Sequence, residues 1–158
     1  MSILTDDMKR VVREQRLAFV ATICADQTPN VSPKGTIAIW DDEHLVFANI
    51  RSPQTIANLQ QNPAVEINVV DPLLRKGYRF KGTAAVLDAG PIYDQVIAGF
   101  AARGVANLIR EVVLIKVDRA LPLTSPAYDL GHTEAELRAM WERHYDAIKC
   151  GLETPTGE

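Results

Sequence analysis

Residues 45–71, LVFANIRSPQTIANLQQNPAVEINVVD, decide the fold. The stretch opens with β-forming residues, and Ser52 followed by proline then predicts a helix over 53–61, because serine is a favoured N-cap and proline a favoured first helical residue. An asparagine-proline pair ends that helix, and the alternation of apolar and polar residues over 64–71 predicts a half-buried strand. One short helix is therefore expected between two strands.

The rest of the chain is predicted to be mostly strands joined by turns. The predicted strands are 17–25, 31–40, 45–48, 64–71, 78–87 and 111–117, and the predicted helices are 5–15, 53–61, 91–103 and 133–148. Gly82 predicts a bulge or a close approach of the backbone within its strand. Because regular strand–helix alternation is missing, we expect a mainly β fold with flanking helices (α+β), built as a six-stranded antiparallel β-barrel.

Composition limits the class of protein. The 158 residues are 47% hydrophobic, and we expect one domain over 1–150 with a flexible tail at 151–158. With 17 Lys and Arg against 20 Asp and Glu, the net charge of −3 argues against a nucleic-acid partner. Cys24 and Cys150 have no zinc-binding spacing, and no window approaches the roughly 18 apolar residues of a membrane span. We therefore expect a cytoplasmic protein without a membrane partner.

The segment Arg51-Ser52-Pro53-Gln54-Thr55 is a candidate phosphate site. A helix start presents unpaired backbone N–H groups with partial positive charge, and this one carries a guanidinium group, two hydroxyls and an amide. The alternative is that the serine only caps the helix and the arginine is a solvated charge.

Proline and glycine flank Lys34 within the segment Asn30 to Thr36. Proline lacks a backbone donor and glycine lacks a side chain, so the pattern indicates a strand interrupted where a ligand meets the backbone, with Lys34 facing that ligand. The alternative is an edge strand with a bulge.

Four cations fall within residues 75–81, and they either bind an anion or form a solvated charged loop. Strand alternation places Arg79 and Lys81 on one face of the strand and Tyr78 and Phe80 on the other. Catalytic motifs are not identified, and the three histidines form no triad or metal-ligand spacing. A cofactor whose own ring performs the chemistry fits this inventory better than catalysis by side chains.

Taken together, the motifs resemble those of the pyridoxamine 5′-phosphate oxidase-like family, the flavin-binding split barrels. The resemblance covers about residues 10 to 118 and depends on the order and spacing of several short segments. These segments are LAFVATIC (17–24), PNVSPKG (29–35), LVFAN (45–49), SPQTIANL (52–59), NPAV (62–65) and FKGTA (80–84).

The resemblance implies a six-stranded split β-barrel homodimer with one flavin mononucleotide (FMN) in each of two clefts at the subunit interface. It implies that the flavin ring lies along one strand, that a second strand end lies beside the ring, that a helix start holds the phosphate, and that a loop approaches the pyrimidine end. The corresponding residues are Ser32, Pro33, Lys34, Gly35 and Thr36 along the ring, Ala48 and Asn49 beside it, Arg51, Ser52, Gln54 and Thr55 at the phosphate, and Lys76 and Arg79 at the pyrimidine end.

Two departures from the family pattern bear on function. Members often have Arg or Lys where this chain has Gln54 and Thr55, so phosphate binding would depend more on Arg51, Ser52 and Thr55. The arginine-rich final strand that holds the vitamin phosphate in true pyridoxamine phosphate oxidases is replaced by a helix around residues 141–145. We therefore do not expect vitamin B6 oxidation.

The leading hypothesis is an FMN-dependent oxidoreductase acting on an unidentified small molecule or electron donor, with Lys34 stabilising negative charge on the reduced flavin. The first alternative is a non-catalytic flavin-binding module that stores electrons. The family also includes deazaflavin-dependent and haem-binding members, and in the haem alternative His132 or His144 would be the iron ligand.

Overall fold

A computed structural model describes residues 3–151, which form four α-helices and seven β-strands. The helices are α1 (Asp6–Gln15), α2 (Pro53–Gln61), α3 (Pro91–Ala101) and α4 (Glu134–Lys149). The strands are β1 (Ala18–Ile23), β2 (Pro29–Lys34), β3 (Ala38–Ile39), β4 (His44–Asn49), β5 (Ala64–Asp71), β6 (Lys76–Leu87) and β7 (Glu111–Thr124). Two 3-10 turns span Ala106–Leu108 and Pro126–Tyr128. Of the tail predicted at 151–158, residues 152–158 lie outside the described part of the chain.

The strands form one antiparallel sheet in the order β2-β1-β5-β6-β7-β4-β3, which curls into a half-barrel. The strand count of six was wrong, because the predicted strand 31–40 is two strands separated by a turn at Gly35 and Thr36. At this turn the Thr36 hydroxyl, not a backbone group, makes the bonds to the neighbouring strand β4. The predicted mainly β fold with flanking helices is confirmed.

Strand β2 lies at one edge of the sheet, and within the described residues it pairs with β1 alone. Its pairing register is regular from Pro29 to Lys34, so the bulge considered for this segment does not form. An edge position accommodates Pro33, because a proline in a central strand would leave a ladder bond unmade.

Strands β6 and β7 share the longest pairing in the sheet, and β7 continues well beyond the predicted end at Val117. Strand β4 pairs with β7 only as far as Lys116, so the far half of β7 has a free side that tolerates Pro122. The pairing register shifts between Lys81 and Gly82. A Cβ added to Gly82 would lie 2.1 Å from the Lys116 carbonyl oxygen, which confirms the predicted close approach.

The concave face of the sheet encloses the main hydrophobic core. Phe47, Ile67 and Phe80 lie at its centre with at most 1% exposure, and α1 covers it through Val11 and Val12. The first turn of α1 is fixed by the Thr5 hydroxyl, which accepts a hydrogen bond from the backbone of Met8. A smaller cluster under α3 joins Val96 and Phe100 to Val112. The two clusters hold β4 between them.

Helix α4 begins with the predicted capping box, in which Thr133 and Glu136 bond each other's backbone. Leu137 is its buried residue, whereas Met140 and Ile148 stay exposed. Among residues 3–151, none of the helices combines the length and the apolar character needed to cross a bilayer.

Candidate functional site

A cleft of about 380 Å³ opens where the end of β2 meets the end of β4 and the start of α2. The two strands are at or near opposite edges of the sheet, so the cleft lies at the junction of those edges. Nine residues line it: Ser32, Pro33, Lys34, Gly35, Thr36, Ala48, Ile50, Arg51 and Ser52. The sequence predicted all of them as site residues except Ile50.

Lys34 is the buried cation of this cleft. Only 5% of the residue is exposed, and its Nζ donates hydrogen bonds to the hydroxyls of Ser32 and Ser52, at 2.6 Å each. The Phe47 ring centre lies 5.6 Å from the same nitrogen, and burial lowers the pKa of Lys34. Within residues 3–151, no carboxylate lies within ion-pair distance of Lys34. A buried ammonium group with only neutral partners favours an anionic ligand.

Ser52 holds the N-cap position of α2, but its side chain makes no hydrogen bond to the helix backbone. Its hydroxyl accepts from Lys34 instead, and its backbone N–H donates to Asn49 Oδ1 at 3.1 Å. The first turn of α2 thus lacks a side-chain cap, so its backbone N–H groups remain available to a ligand. Arg51 adds an exposed guanidinium group for which the described residues supply no ion-pair partner.

A side chain rather than a backbone ladder joins the turn after β2 to strand β4 at the cleft. Thr36 Oγ1 donates to the Ala48 carbonyl oxygen at 2.7 Å and accepts from the Ala48 N–H at 3.2 Å. The Thr36 hydroxyl therefore holds the turn after β2 against β4 at the margin of the cleft.

Three other predicted residues lie around the cleft without lining it. Asn49 donates to Glu111 at 2.7 Å and lines a neighbouring cavity of about 400 Å³ that shares Arg51 and Ser52 with the cleft. Gln54 is exposed and donates to Asn58 at 2.7 Å. Thr55 is 1% exposed, and within the described part of the chain its hydroxyl has no hydrogen-bond partner.

Lys76 and Arg79 lie far from this cleft within one chain. Pro33, Phe19, Asn68 and Arg79 pair in register across four strands, which puts Arg79 three strand spacings, about 14 Å, from Pro33. Arg79 forms an ion pair with Glu66 at 2.8 Å on the outer face.

The rest of the predicted cationic run is also held by other groups. Lys76 donates to Glu134 at 2.8 Å, which raises the pKa of the lysine, and lies over the Tyr128 ring. The Arg75 guanidinium stacks 3.5 Å from the Trp141 ring centre. These contacts join the loop to α4, so it is neither a freely solvated charge run nor part of this cleft.

Sequence reasoning missed two residues at the site. Ile50 supplies apolar lining between the two cavities, and Arg110 lines the cavity beside Asn49 and donates its backbone N–H to the Asn49 carbonyl at 3.1 Å. Only the pairing of Asn49 with Glu111 brings this arginine to the site, and no local motif marks it.

Comparison with known proteins gives the family. The protein HupZ from Group A Streptococcus is 34% identical, with a TM-score of 0.71 and coverage of 77% of this chain and 94% of that one. Two more distant structures share the fold. An FMN-binding protein from Syntrophomonas wolfei subsp. wolfei is 16% identical, with a TM-score of 0.67 and coverage of 77% and 87%. The haem storage protein HutZ from Vibrio cholerae is 21% identical, with a TM-score of 0.61 and coverage of 75% and 93%.

The search of curated proteins found no match. The family model described as pyridoxamine 5′-phosphate oxidase matches residues 4–124, from the segment before α1 to the end of β7, and so includes every residue of the cleft. On this match and on its split-barrel fold, the chain belongs to the pyridoxamine 5′-phosphate oxidase family.

Proposed function

We propose that this protein binds FMN in the cleft and is an FMN-dependent oxidoreductase acting on an unidentified small molecule. The observation that carries the proposal is the buried ammonium group of Lys34, which has two serine hydroxyls as partners and no neighbouring carboxylate in the described chain. FMN would supply the anionic partner that this ammonium group lacks among the described residues.

The residues present fit the phosphate of FMN at the start of α2. The uncapped N–H groups of the first turn, the Arg51 guanidinium and the Ser52 hydroxyl are donors of the kind that bind phosphate dianions. The departure at Gln54 matters little to this arrangement, because Gln54 is engaged with Asn58 and does not line the cleft.

The segment from Ser32 to Thr36 would line the flavin ring. FMN supplies reversible electron transfer when bound. Lys34 keeps a positive charge in the wall of the cleft, which stabilises negative charge beside it. An anion bound here would also keep Lys34 protonated, because it opposes the lowering of the pKa that burial causes. Ile50 adds apolar lining to the cleft, and the buried Phe47 ring lies beside the lysine.

The proposal includes a homodimer, supported by an apolar strip beside the cleft. Leu17, Phe19 and Val31 are 46%, 47% and 60% exposed. Phe19 pairs with Pro33, which itself lines the cleft. A second copy covering this strip would remove large apolar side chains from water. Because one chain holds Arg79 away from its own cleft, a contact between Arg79 and the flavin would then come from the second copy.

The haem alternative draws on the printed name of HutZ, which describes a haem storage protein. The candidate iron ligands of this chain do not line the cleft: His132 faces Glu136 at 3.8 Å, and His144 packs its ring edge-on to Trp141. Because neither histidine lines the cleft, the cleft favours FMN over haem.

The absorption spectrum of the freshly purified protein tests the cofactor, followed by chromatography of the chromophore that denaturation releases. We expect the two-banded spectrum of a flavin and the release of FMN. A haem spectrum, a deazaflavin, or a colourless protein that does not bind added FMN would refute the proposal. Steady-state oxidation of reduced nicotinamides is expected to exceed the rate with free FMN, and an equal rate would identify a storage module instead.

A matched pair of variants tests the position of the phosphate. Arg51→Gln is expected to weaken FMN binding about tenfold, since hydrogen bonds to charged groups contribute about 1.5 kcal/mol or more. Arg138→Gln removes the same charge from the exposed surface of α4 and is expected to leave FMN binding unchanged. Equal effects of the two substitutions would exclude the start of α2 as the phosphate site.

A further inference from the structure

Asn49, the last residue of β4, is buried beside the cleft with 3% exposure. Its side chain makes two hydrogen bonds: Nδ2 donates to Glu111 Oε2 at 2.7 Å, and Oδ1 accepts from the backbone N–H of Ser52 at 3.1 Å. The Ser52 hydroxyl in turn accepts from Lys34 at 2.6 Å. One chain of hydrogen bonds therefore runs from Glu111 on β7, through Asn49, to the serine and the lysine of the cleft.

Glu111 decides which way the Asn49 amide faces. An ionised carboxylate accepts hydrogen bonds and donates none, so the amide must turn its NH2 group towards Glu111. The amide oxygen is then left for the Ser52 N–H. With the amide reversed, two donors would meet at Ser52 and two acceptors at Glu111. Because Asn49 and Glu111 are paired in register on neighbouring strands, the sheet holds the carboxylate in place for this task.

The bond to Ser52 determines which donors the first turn of α2 presents. The Ser52 N–H is occupied by the Asn49 oxygen, and Pro53 has no N–H. The next two N–H groups, those of Gln54 and Thr55, have no hydrogen-bond partner within residues 3–151. These two groups are therefore the backbone donors that an anion at the start of α2 would meet first.

The orientation of Ser52 keeps these two donors free. A serine at an N-cap ordinarily turns its hydroxyl back onto the second or third N–H of its helix. Here the bond from the Ser52 N–H to Asn49 fixes the peptide before the helix, and the hydroxyl lies towards Lys34 instead. If Ser52 were released from Asn49, its hydroxyl could cap the helix and compete with a phosphate for the same N–H groups.

We propose that Glu111 is a positioning residue for the phosphate of the cofactor, and that it acts through Asn49 on the start of α2. Arg51 and Arg110 line the same cavity as Glu111, but within residues 3–151 neither lies at ion-pair distance from it. The carboxylate therefore serves as the acceptor for Asn49 rather than as a counter-ion for an arginine. The inference rests on the proposed function, because the phosphate that it positions is that of FMN.

Quenching of FMN fluorescence tests the proposal in variants of Glu111. Glu111→Leu removes the acceptor and is expected to bind FMN about tenfold more weakly, and Glu111→Ala replaces it should the leucine variant not fold. Glu111→Gln keeps an acceptor oxygen for Asn49, so we expect it to bind FMN at least as tightly as wild type. Glu142→Leu removes an equal charge from the exposed surface of α4 and should bind FMN like wild type. Equal losses in the leucine and glutamine variants, or no loss in the leucine variant, would overturn the proposal.

A double variant tests whether Glu111 acts through Asn49. Asn49→Ala is expected to weaken FMN binding by itself, because it releases Ser52. The double variant N49A/E111L should then bind FMN no more weakly than Asn49→Ala, since the carboxylate has lost the group that it orients. An additive loss of affinity would show that Glu111 acts independently of Asn49 and would overturn the proposal.

Hydrogen exchange of the Ser52 N–H, measured by NMR on the protein without FMN, keeps this inference apart from the proposed function. The exchange is expected to be several-fold faster in Glu111→Leu and unchanged in Glu111→Gln, and unchanged exchange in the leucine variant would refute the chain of hydrogen bonds. If wild type does not bind FMN, the proposed function fails. If wild type and Glu111→Leu bind FMN equally well, only this inference fails.

Discussion

Replacing Lys34 with methionine is expected to separate anion binding from folding. Methionine keeps a straight side chain of similar length against Phe47 but removes the charge. Among residues 3–151, the hydrogen-bond partners of the Lys34 Nζ are Ser32 and Ser52. After the substitution these two hydroxyls, whose oxygens lie 3.3 Å apart, can bond each other. The fold therefore loses no obligatory partner.

The expected magnitudes differ for stability and for binding. Loss of a charged hydrogen-bond partner costs about 1.5 to 3 kcal/mol, which predicts an FMN affinity about 10- to 150-fold lower. The free energy of unfolding without ligand should change by less than about 1.5 kcal/mol, since the lost bonds to serine are offset by removal of a buried unpaired charge.

The pH dependence of unfolding gives a second, independent signature. Burial lowers the pKa of Lys34 from its ordinary value of 10.5. Between the lowered pKa and 10.5, the unfolded chain binds the proton and the folded chain does not, so stability rises with pH in that window. This rise is expected to disappear in Lys34→Met.

Quenching of FMN fluorescence measures the affinity, and urea unfolding at several pH values measures the stability. Lys116→Met is the matched control, because Lys116 is exposed on β7 and outside the cleft. An unchanged FMN affinity in Lys34→Met, or an equal loss in the control, would refute the role of the buried ammonium group. A loss of stability of several kcal/mol would refute the account of its partners.

Three further predictions concern the fold. Gly82→Ala is expected to lower the free energy of unfolding, measured in urea, by about 3 kcal/mol, because the new Cβ meets the Lys116 carbonyl oxygen of β7. Gly99→Ala has open space around the new Cβ and should instead stabilise α3 by about 0.5 to 1 kcal/mol. Thr133→Ala should cost about 1 kcal/mol in the same assay and speed hydrogen exchange in the first turn of α4, and unchanged exchange would contradict the capping role. Hydrogen bonds from the Tyr78 hydroxyl and from Arg10 lower the pKa of Asp7 from 3.8, so the stability they provide is present above pH 3.8 and is lost as pH falls through the lowered pKa. Tyr78→Phe should therefore make the acid unfolding curve shallower, and identical curves would exclude this hydrogen bond.

The parts of the fold that the sequence predicts well are those with local signals. The bounds of α2 and β5 follow from Ser52 and from the asparagine-proline pair after Gln61, and the capping box predicts the start of α4. The end of β7 could not be predicted from local signals, because Pro122 is tolerated only on the side that β4 leaves free.

The candidate site shows the same division between local and distant causes. The serine and lysine positions of the cleft are recognisable from their neighbours in the chain. The role of the Ser52 hydroxyl could not be predicted in this way, because the hydroxyl bonds Lys34, which is 18 residues away, and not the backbone of its own helix. Arg110 comes to the site only because Glu111 pairs with Asn49, which a pattern along one strand does not reveal.

The hydroxyl of Thr36 has a consequence for how the protein opens. It joins the turn after β2 to strand β4 at Ala48 through one side chain, where a backbone ladder would supply several hydrogen bonds. A ligand bound between Lys34 and the start of α2 would contact both sides of this junction. Its binding free energy would then add to the free-energy cost of opening the junction. If FMN binds here as proposed, its exchange is expected to require opening of this junction, and its residence time would then report how often the junction opens.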